Sequence, residues 1–283
     1  MSFNTTALKA LQLKAKHQAY SLLSGHHLSK LRADGYDFAE LREYQIGDDI
    51  RNIHWTISAK LGKPYIKELH TNRELSVVVT CLMDASLYYG PLYSPEVNAK
   101  QIKMTEVATM LAYASVQNSD LFTGIFYTDT QTYLTPPTKQ FYAVEAFSKR
   151  LFELDLLGST LFKQDAIQDI FKRLEKPSLL FILGDFLDEV NLSLLAQKHE
   201  VIALIIRHKE EEQPSLKGEV TLHNPHNKHS LETYFGKKTK QAYLQKFIEV
   251  EEKRLEHFAR YGIRSVTIYT DDEALTKLIS LFI

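Results

Sequence analysis

The sequence predicts an α/β fold: a doubly wound, mostly parallel sheet with helices on both faces and one antiparallel edge strand. Three observations predict it. From Leu75 onward, apolar runs of strand length alternate with longer amphipathic stretches. Several of the runs, such as SVVVTCLM and VIALII, are almost continuously apolar, as strands covered by helices on both faces must be. One adjacent pair of runs is separated only by Asp129-Thr130, which is too short for a crossover and dictates an antiparallel hairpin.

The elements follow in order. Leu8, Leu11, Ala15, Ala19 and Leu22 recur at three- and four-residue steps, giving an amphipathic helix that Ser24-Gly25 ends. Residues 1–32 hold five basic residues and no acidic one. The expected role is a helix docked on the body with a solvated lysine face; the alternative is contact with an anionic surface or partner. Residues 34–74 alternate opposite charges and are punctuated by glycines and the Gly62-Lys63-Pro64 turn. They read as a small subdomain tied by ion pairs and turns, with Tyr65–Leu69 as a short strand. Strands are expected at Leu75–Met83, Leu121–Thr128, Gln131–Leu134, Ser178–Gly184, Glu200–Arg207 and Ile263–Thr270. Helices are expected at Val97–Gln117, Gln140–Leu154, Phe162–Leu174, Val190–Gln197, Lys238–Tyr261 and Asp272–Leu281, with Gly262 as a left-handed cap. Glu210–Gly218 is the nearest approach to a linker. The domain boundary falls at residue 74: residues 1–74 form the helix and small subdomain, residues 75–283 the α/β body.

With 283 residues, 44% hydrophobic and 24% charged, the chain is an ordinary globular one, neither disordered nor fibrous. Its 34 Lys+Arg against 35 Asp+Glu argue against a whole surface devoted to nucleic acid and leave room for a local basic patch. Cys81 is the only cysteine, so no intrachain disulfide forms, and its mid-strand place makes it a small core residue. No secretory signal opens the sequence, and no apolar run approaches the ~18–20 residues that span a bilayer. The expected setting is the reducing cytoplasm.

Ligands of open parallel sheets bind at the carboxyl ends of the strands, near the switch in strand order. Asp84-Ala85-Ser86 follows the first strand of the body, Gly184-Asp185 its fourth, and Gly158-Ser159-Thr160 precedes a helix. Two carboxylates and two hydroxyls are hard oxygen donors that suit Mg²⁺ or Mn²⁺. The plainer alternative is that the aspartates cap turns and helices. His223, His226 and His229 recur every three residues, but Asn-Pro and Asn-Lys neighbours favour an exposed loop or hairpin over a zinc site. Gly47-Asp48-Asp49 reads as a turn or an ion-pair partner of Arg42 or Arg51. Trp55, Tyr44 and Tyr65 are expected to pack the small subdomain rather than stack on bases.

The stretch DFAELREYQIGDDIRNIHW, followed by SAKLGKPYIKE, RELSVVV, LFILGDFLD and HEVIALII, resembles domain-of-unknown-function family 58 from about Leu31 onward. The resemblance implies a von Willebrand factor A-like domain behind an extra N-terminal subdomain. It also implies a non-enzymatic protein working with a MoxR-type AAA+ ATPase. Such domains carry a metal-ion-dependent adhesion site, Asp-x-Ser-x-Ser plus a threonine and a later acidic residue. Here Asp84, Ser86, Thr160 and Asp185 match, while Tyr88 stands where the second serine belongs and cannot replace that short ligand. The resemblance therefore implies a Mg²⁺ site lacking one ligand. Two further departures are His54, where the pattern has Asp, and His208-Lys209-Glu210-Glu211, where it reads Asp-Pro-x-Glu. The reading is a protein-protein interaction module without specific nucleic acid or a membrane span. The alternatives are a Mg²⁺-dependent phosphate-ester hydrolase, or nucleic-acid binding through the basic first helix.

Overall fold

The computed structural model describes residues 2–24, 40–45, 48, 50, 53–68, 75–90, 98–227 and 229–281. Helix α1 (Ser2–Ser24) buries Leu8, Leu11, Ala15, Ala19 and Leu22, the apolar stripe read from the sequence. It lies against helix α3 (Ala99–Gln117) of the body. Its basic face is partly spent there: Lys14 pairs with Glu106 at 2.6 Å and Lys16 sits over the Phe141 ring.

The small subdomain is built on strands β1 (Glu40–Glu43) and β2 (Tyr65–Glu68), which pair antiparallel, with helix α2 (Trp55–Leu61) between them in sequence. Turns and polar contacts hold it, as expected. Gly62 ends α2 in the left-handed region at φ 70°, the Ser58 hydroxyl accepts the Tyr65 N–H at 2.8 Å, and Lys63 pairs with Glu43 at 2.8 Å. Asp48 accepts the Gln45 N–H at 2.8 Å, a turn contact. Gly47, Asp49 and Arg51 lie outside the described residues. Packing does not account for Trp55: it is 71% exposed, with Ile50 and Leu61 also exposed, while Tyr44 and Tyr65 are half-buried. A helix of seven residues has too little surface to bury so large a ring.

His54 is the N-cap of α2, and its side chain makes no capping bond. An aspartate, the residue of the family pattern, would accept an orphan N–H and favour the helix dipole. His54→Asp is therefore expected to stabilise by about 0.5–1.5 kcal/mol. Urea denaturation checks this; a loss of stability would show that the imidazole has a role of its own.

The body is a six-stranded sheet formed by β3 (Ser76–Leu82), β4 (Leu121–Tyr127), β5 (Thr132–Leu134), β6 (Leu179–Gly184), β7 (Glu200–Arg207) and β10 (Arg264–Tyr269). The order is β10-β7-β6-β3-β4-β5, parallel except for β5 at the edge, which is the arrangement the sequence predicts. Alternate residues of β3 feed two separate cores. Val77, Val79 and Cys81 face α1, α3, α4 (Phe141–Glu153) and α9 (Ala274–Ser280). Val78 and Leu82 face α5 (Lys163–Arg173), α6 (Ser193–Ala196) and α8 (Lys237–Arg260). Both faces are covered, which explains the nearly continuous apolar strands. Gly262 follows α8 at φ 65°, the left-handed turn expected there.

The exposed loop or hairpin read around residues 223–229 is a hairpin, whereas its two strands and a short helix before it are not among the elements the sequence predicts. The segment 210–218, read as linker, begins inside a short helix α7 (Lys209–Glu212), and Glu211 is buried. Strands β8 (Gly218–His223) and β9 (Ser230–Phe235) form an exposed hairpin. Its strands are mostly solvated on both faces, so they carry no apolar run comparable with those of the six-stranded sheet.

Candidate functional site

The chain leaves β3 for β4 on one side and later returns to place β6 on the other, so the switch in strand order lies between β3 and β6. Asp84 and Asp185 follow these two strands at their carboxyl ends. Asp84 caps the 3-10 turn Ala85–Leu87, accepting the Ser86 N–H at 3.0 Å and the Ser86 hydroxyl. Both aspartates are at least 98% buried.

Between them stands Lys163, the first residue of α5. Its Nζ is 3.2 Å from Asp185 Oδ1, 3.6 Å from Asp84 Oδ2 and 2.9 Å from Asp188 Oδ2. Lys100, in the first turn of α3, lies 3.6 Å from Asp185 Oδ2 and donates to Glu211 at 2.6 Å. Both ammonium groups sit at the helix end whose dipole disfavours cations, so the carboxylates must hold them there. Burial alone would raise the Asp185 carboxyl. Lys100 and Lys163 overturn that, aided by Ser86 and Arg207, and hold it well below the usual carboxylate range. For Lys163 burial opposes the charge, but Asp185, Asp84 and Asp188 more than offset it and raise the ammonium above its ordinary value.

Arg207 ends β7 with 1% exposure. Its guanidinium stacks on Phe247 and donates to Glu251 at 2.8 Å and to the Phe186 carbonyl at 3.2 Å. Phe186, next to Asp185, is held at φ 49°, a strained conformation for a non-glycine residue. Glu211 is positioned by a capping box in which His208 accepts the Glu210 N–H and Glu211 accepts the His208 N–H.

Of the four residues expected to hold a metal, Asp84, Ser86 and Asp185 come together. Thr160 lies in the adjoining loop, where Ala85 N–H donates to the Ser159 carbonyl at 3.3 Å. The Thr160 side chain is exposed and its hydroxyl is 3.4 Å from His226 Nδ1. That imidazole donates Nδ1–H to the Ser159 carbonyl at 2.8 Å, so the β8–β9 hairpin tip is fastened to this loop. His223 instead meets the Ser230 hydroxyl. Among the described residues no three His, Cys, Asp or Glu side chains gather as a metal-ligand group. The Tyr88 phenol is pushed up by burial and by Asp155 and reaches the Leu156 backbone, so it serves the core.

The donor set as arranged does not suit a divalent cation. The buried charges at the strand ends are Asp84, Asp185 and Glu211 against Lys100, Lys163 and Arg207. Lys163 and Lys100 already stand against these carboxylates, and an ammonium has no lone pair to offer a metal. Sequence reasoning missed Lys163, Lys100 and Glu211. The available signal was charge inside otherwise apolar segments, as with Lys100 at the head of a helix that is buried nearly throughout.

Residues 40–253 match the family model described as protein of unknown function DUF58. The chain belongs to this family. Relatives include the uncharacterized proteins Rv1480 of Mycobacterium tuberculosis and Mb1516 of Mycobacterium bovis, each 34% identical over 84 residues. That match spans 30% of this chain and 26% of each relative. Among solved structures, the conserved hypothetical protein BatB from Bacteroides thetaiotaomicron aligns over 73% of this chain and 96% of its own, at 9% identity and TM-score 0.43. An aerotolerance-related membrane protein from Bacteroides fragilis aligns over 74% and 96%, at 10% identity and TM-score 0.42. No helix among the described residues of this DUF58 chain is long and apolar enough to cross a membrane.

Proposed function

We propose that this DUF58 protein is a non-enzymatic adaptor whose von Willebrand factor A-like body binds a partner protein at the strand-end face, and that the partner is a MoxR-type AAA+ ATPase acting in the cytoplasm. One observation carries the reading. Asp84, Asp185 and Glu211 are ion-paired with Lys163 and Lys100, while Leu157 and Phe162 stand 47% and 75% exposed on the loop beside them. Exposed apolar side chains beside charged groups that are already paired can form the apolar centre of a docking surface, where buried aromatic anchors supply most of the affinity. The same pairing argues against a phosphate-ester hydrolase, because the lysines that would neutralise a phosphoryl group already hold carboxylates. The Cys81 thiol is buried mid-strand and pushed up by burial, so it makes a poor nucleophile. The small subdomain, with Trp55 exposed, offers a second contact surface for the ATPase.

The test is direct binding between the purified chain and the MoxR-type ATPase of the same genome, with and without nucleotide. A specific complex is expected. Phe162→Ala should weaken it about tenfold, the scale of losing one aromatic anchor, without changing the unfolding midpoint. Absence of any complex, or full affinity in the variant, would remove the reading.

A further inference from the structure

We propose that Lys163 supplies the cation of the strand-end site, so that the site works without a divalent metal. This deepens the docking reading and rests on it for the function of the face. The argument is geometric. In an adhesion site of the expected kind, a metal lies between the aspartate after the first body strand and the acidic residue after a later one. Here the Lys163 ammonium lies between those two residues, 3.6 Å from Asp84 and 3.2 Å from Asp185. It is buried and fixed at the start of a regular helix. An ammonium has three N–H donors, and three carboxylates surround this one. The third, Asp188, is the nearest at 2.9 Å and is 77% exposed. It stands on the solvent side, where an incoming acidic side chain would otherwise complete the shell.

Lys100 closes the opposite side against Asp185 and Glu211. A dication entering this space would face two ammonium groups and would have to expel Lys163 from a compensated, buried position. The lysine also explains why the two missing metal ligands are dispensable. Tyr88 has turned to the core, and the Thr160 hydroxyl faces His226, because an ammonium needs acceptors close by rather than an octahedral shell.

The experiment is Mn²⁺ titration of the full chain, read by the electron paramagnetic resonance signal of free Mn²⁺ and by thermal melting. For the wild type, no uptake of Mn²⁺ and no melting shift with Mg²⁺ or Mn²⁺ are expected. Uptake of one Mn²⁺ that is lost in Asp185→Asn would overturn the proposal. Lys163→Ala vacates the space between the aspartates and is expected to gain Mn²⁺ uptake and an upward melting shift with the ion. Lys163→Gln replaces it if the alanine variant does not fold. A folded Lys163 variant that still ignores Mn²⁺ would show that the lysine is not what stands in the cation's place, and would equally overturn the proposal. ATPase capture is scored separately, with and without a chelator. Loss of capture in wild type removes the adaptor reading and leaves the Mn²⁺ result standing, whereas capture abolished by the chelator, with Mn²⁺ bound at Asp185, removes the inference alone.

Discussion

Replacing Lys163 by methionine is expected to destabilise the protein by about 3–5 kcal/mol, the scale of breaking a buried ion pair by removing one partner. Methionine fills similar space, so the loss is electrostatic rather than a cavity. It leaves Asp84 and Asp185 buried with Lys100 as the one remaining nearby ammonium among the described residues, 3.6 Å from Asp185 and already held by Glu211. The double variant Lys163→Met with Asp185→Asn should be less destabilised than the sum of the singles by about 1–3 kcal/mol, because the second change removes the charge the first left stranded. Urea denaturation of the four proteins measures this. Additive losses would mean that Lys163 and Asp185 are neighbours without being coupled. Lys163→Met should also leave the six-stranded sheet intact, since the apolar cores on its two faces do not include the lysine.

The sheet was legible because its physics is local. A strand covered on both faces is almost continuously apolar, and β3, β6 and β7 are written that way. Asp84 and Asp185 were legible by position, since the carboxyl ends of strands at a switch in order are where an open sheet exposes backbone and side chains to a ligand. Their partners were not. Lys163 reaches Asp185 across 22 residues and Lys100 reaches Glu211 across 111. Lysine is long and common, and nothing in its spacing shows which of 34 basic residues turns inward. Glu211 was hidden for a related reason: a run of charges, His208 to Glu212, looks solvated until the capping box turns one glutamate into the interior. Trp55 went the other way. An aromatic ring normally signals a core, and here it lies on a helix too short to bury it.

Asp185→Asn is expected to separate the site's electrostatics from its packing through its dependence on pH. In the folded protein the carboxyl of Asp185 is held well below its ordinary value, with burial opposed and overcome by Lys100 and Lys163. The unfolded chain therefore binds the proton more readily than the native one, and acidification favours unfolding. The stabilisation is complete above the unfolded value, near ~3.9, and is lost as pH falls toward the lower folded value. Wild type should exceed Asp185→Asn by about 2–3 kcal/mol at neutral pH, the scale of one ion-paired carboxylate, and the gap should start to narrow below about pH 5 and keep shrinking as acid is added. Stability curves of the two proteins across that range are the measurement. A gap that stays constant would mean that the asparagine merely packs badly, and that the two lysines do not hold a charge at Asp185. Asp188→Asn provides the contrast, because its carboxylate touches the same ammonium but stands 77% exposed. Solvent screening should limit its loss to about 1 kcal/mol or less. The two aspartates share one lysine, and what separates their contributions is that Asp185 is buried and also faces Lys100, whereas Asp188 is open to solvent.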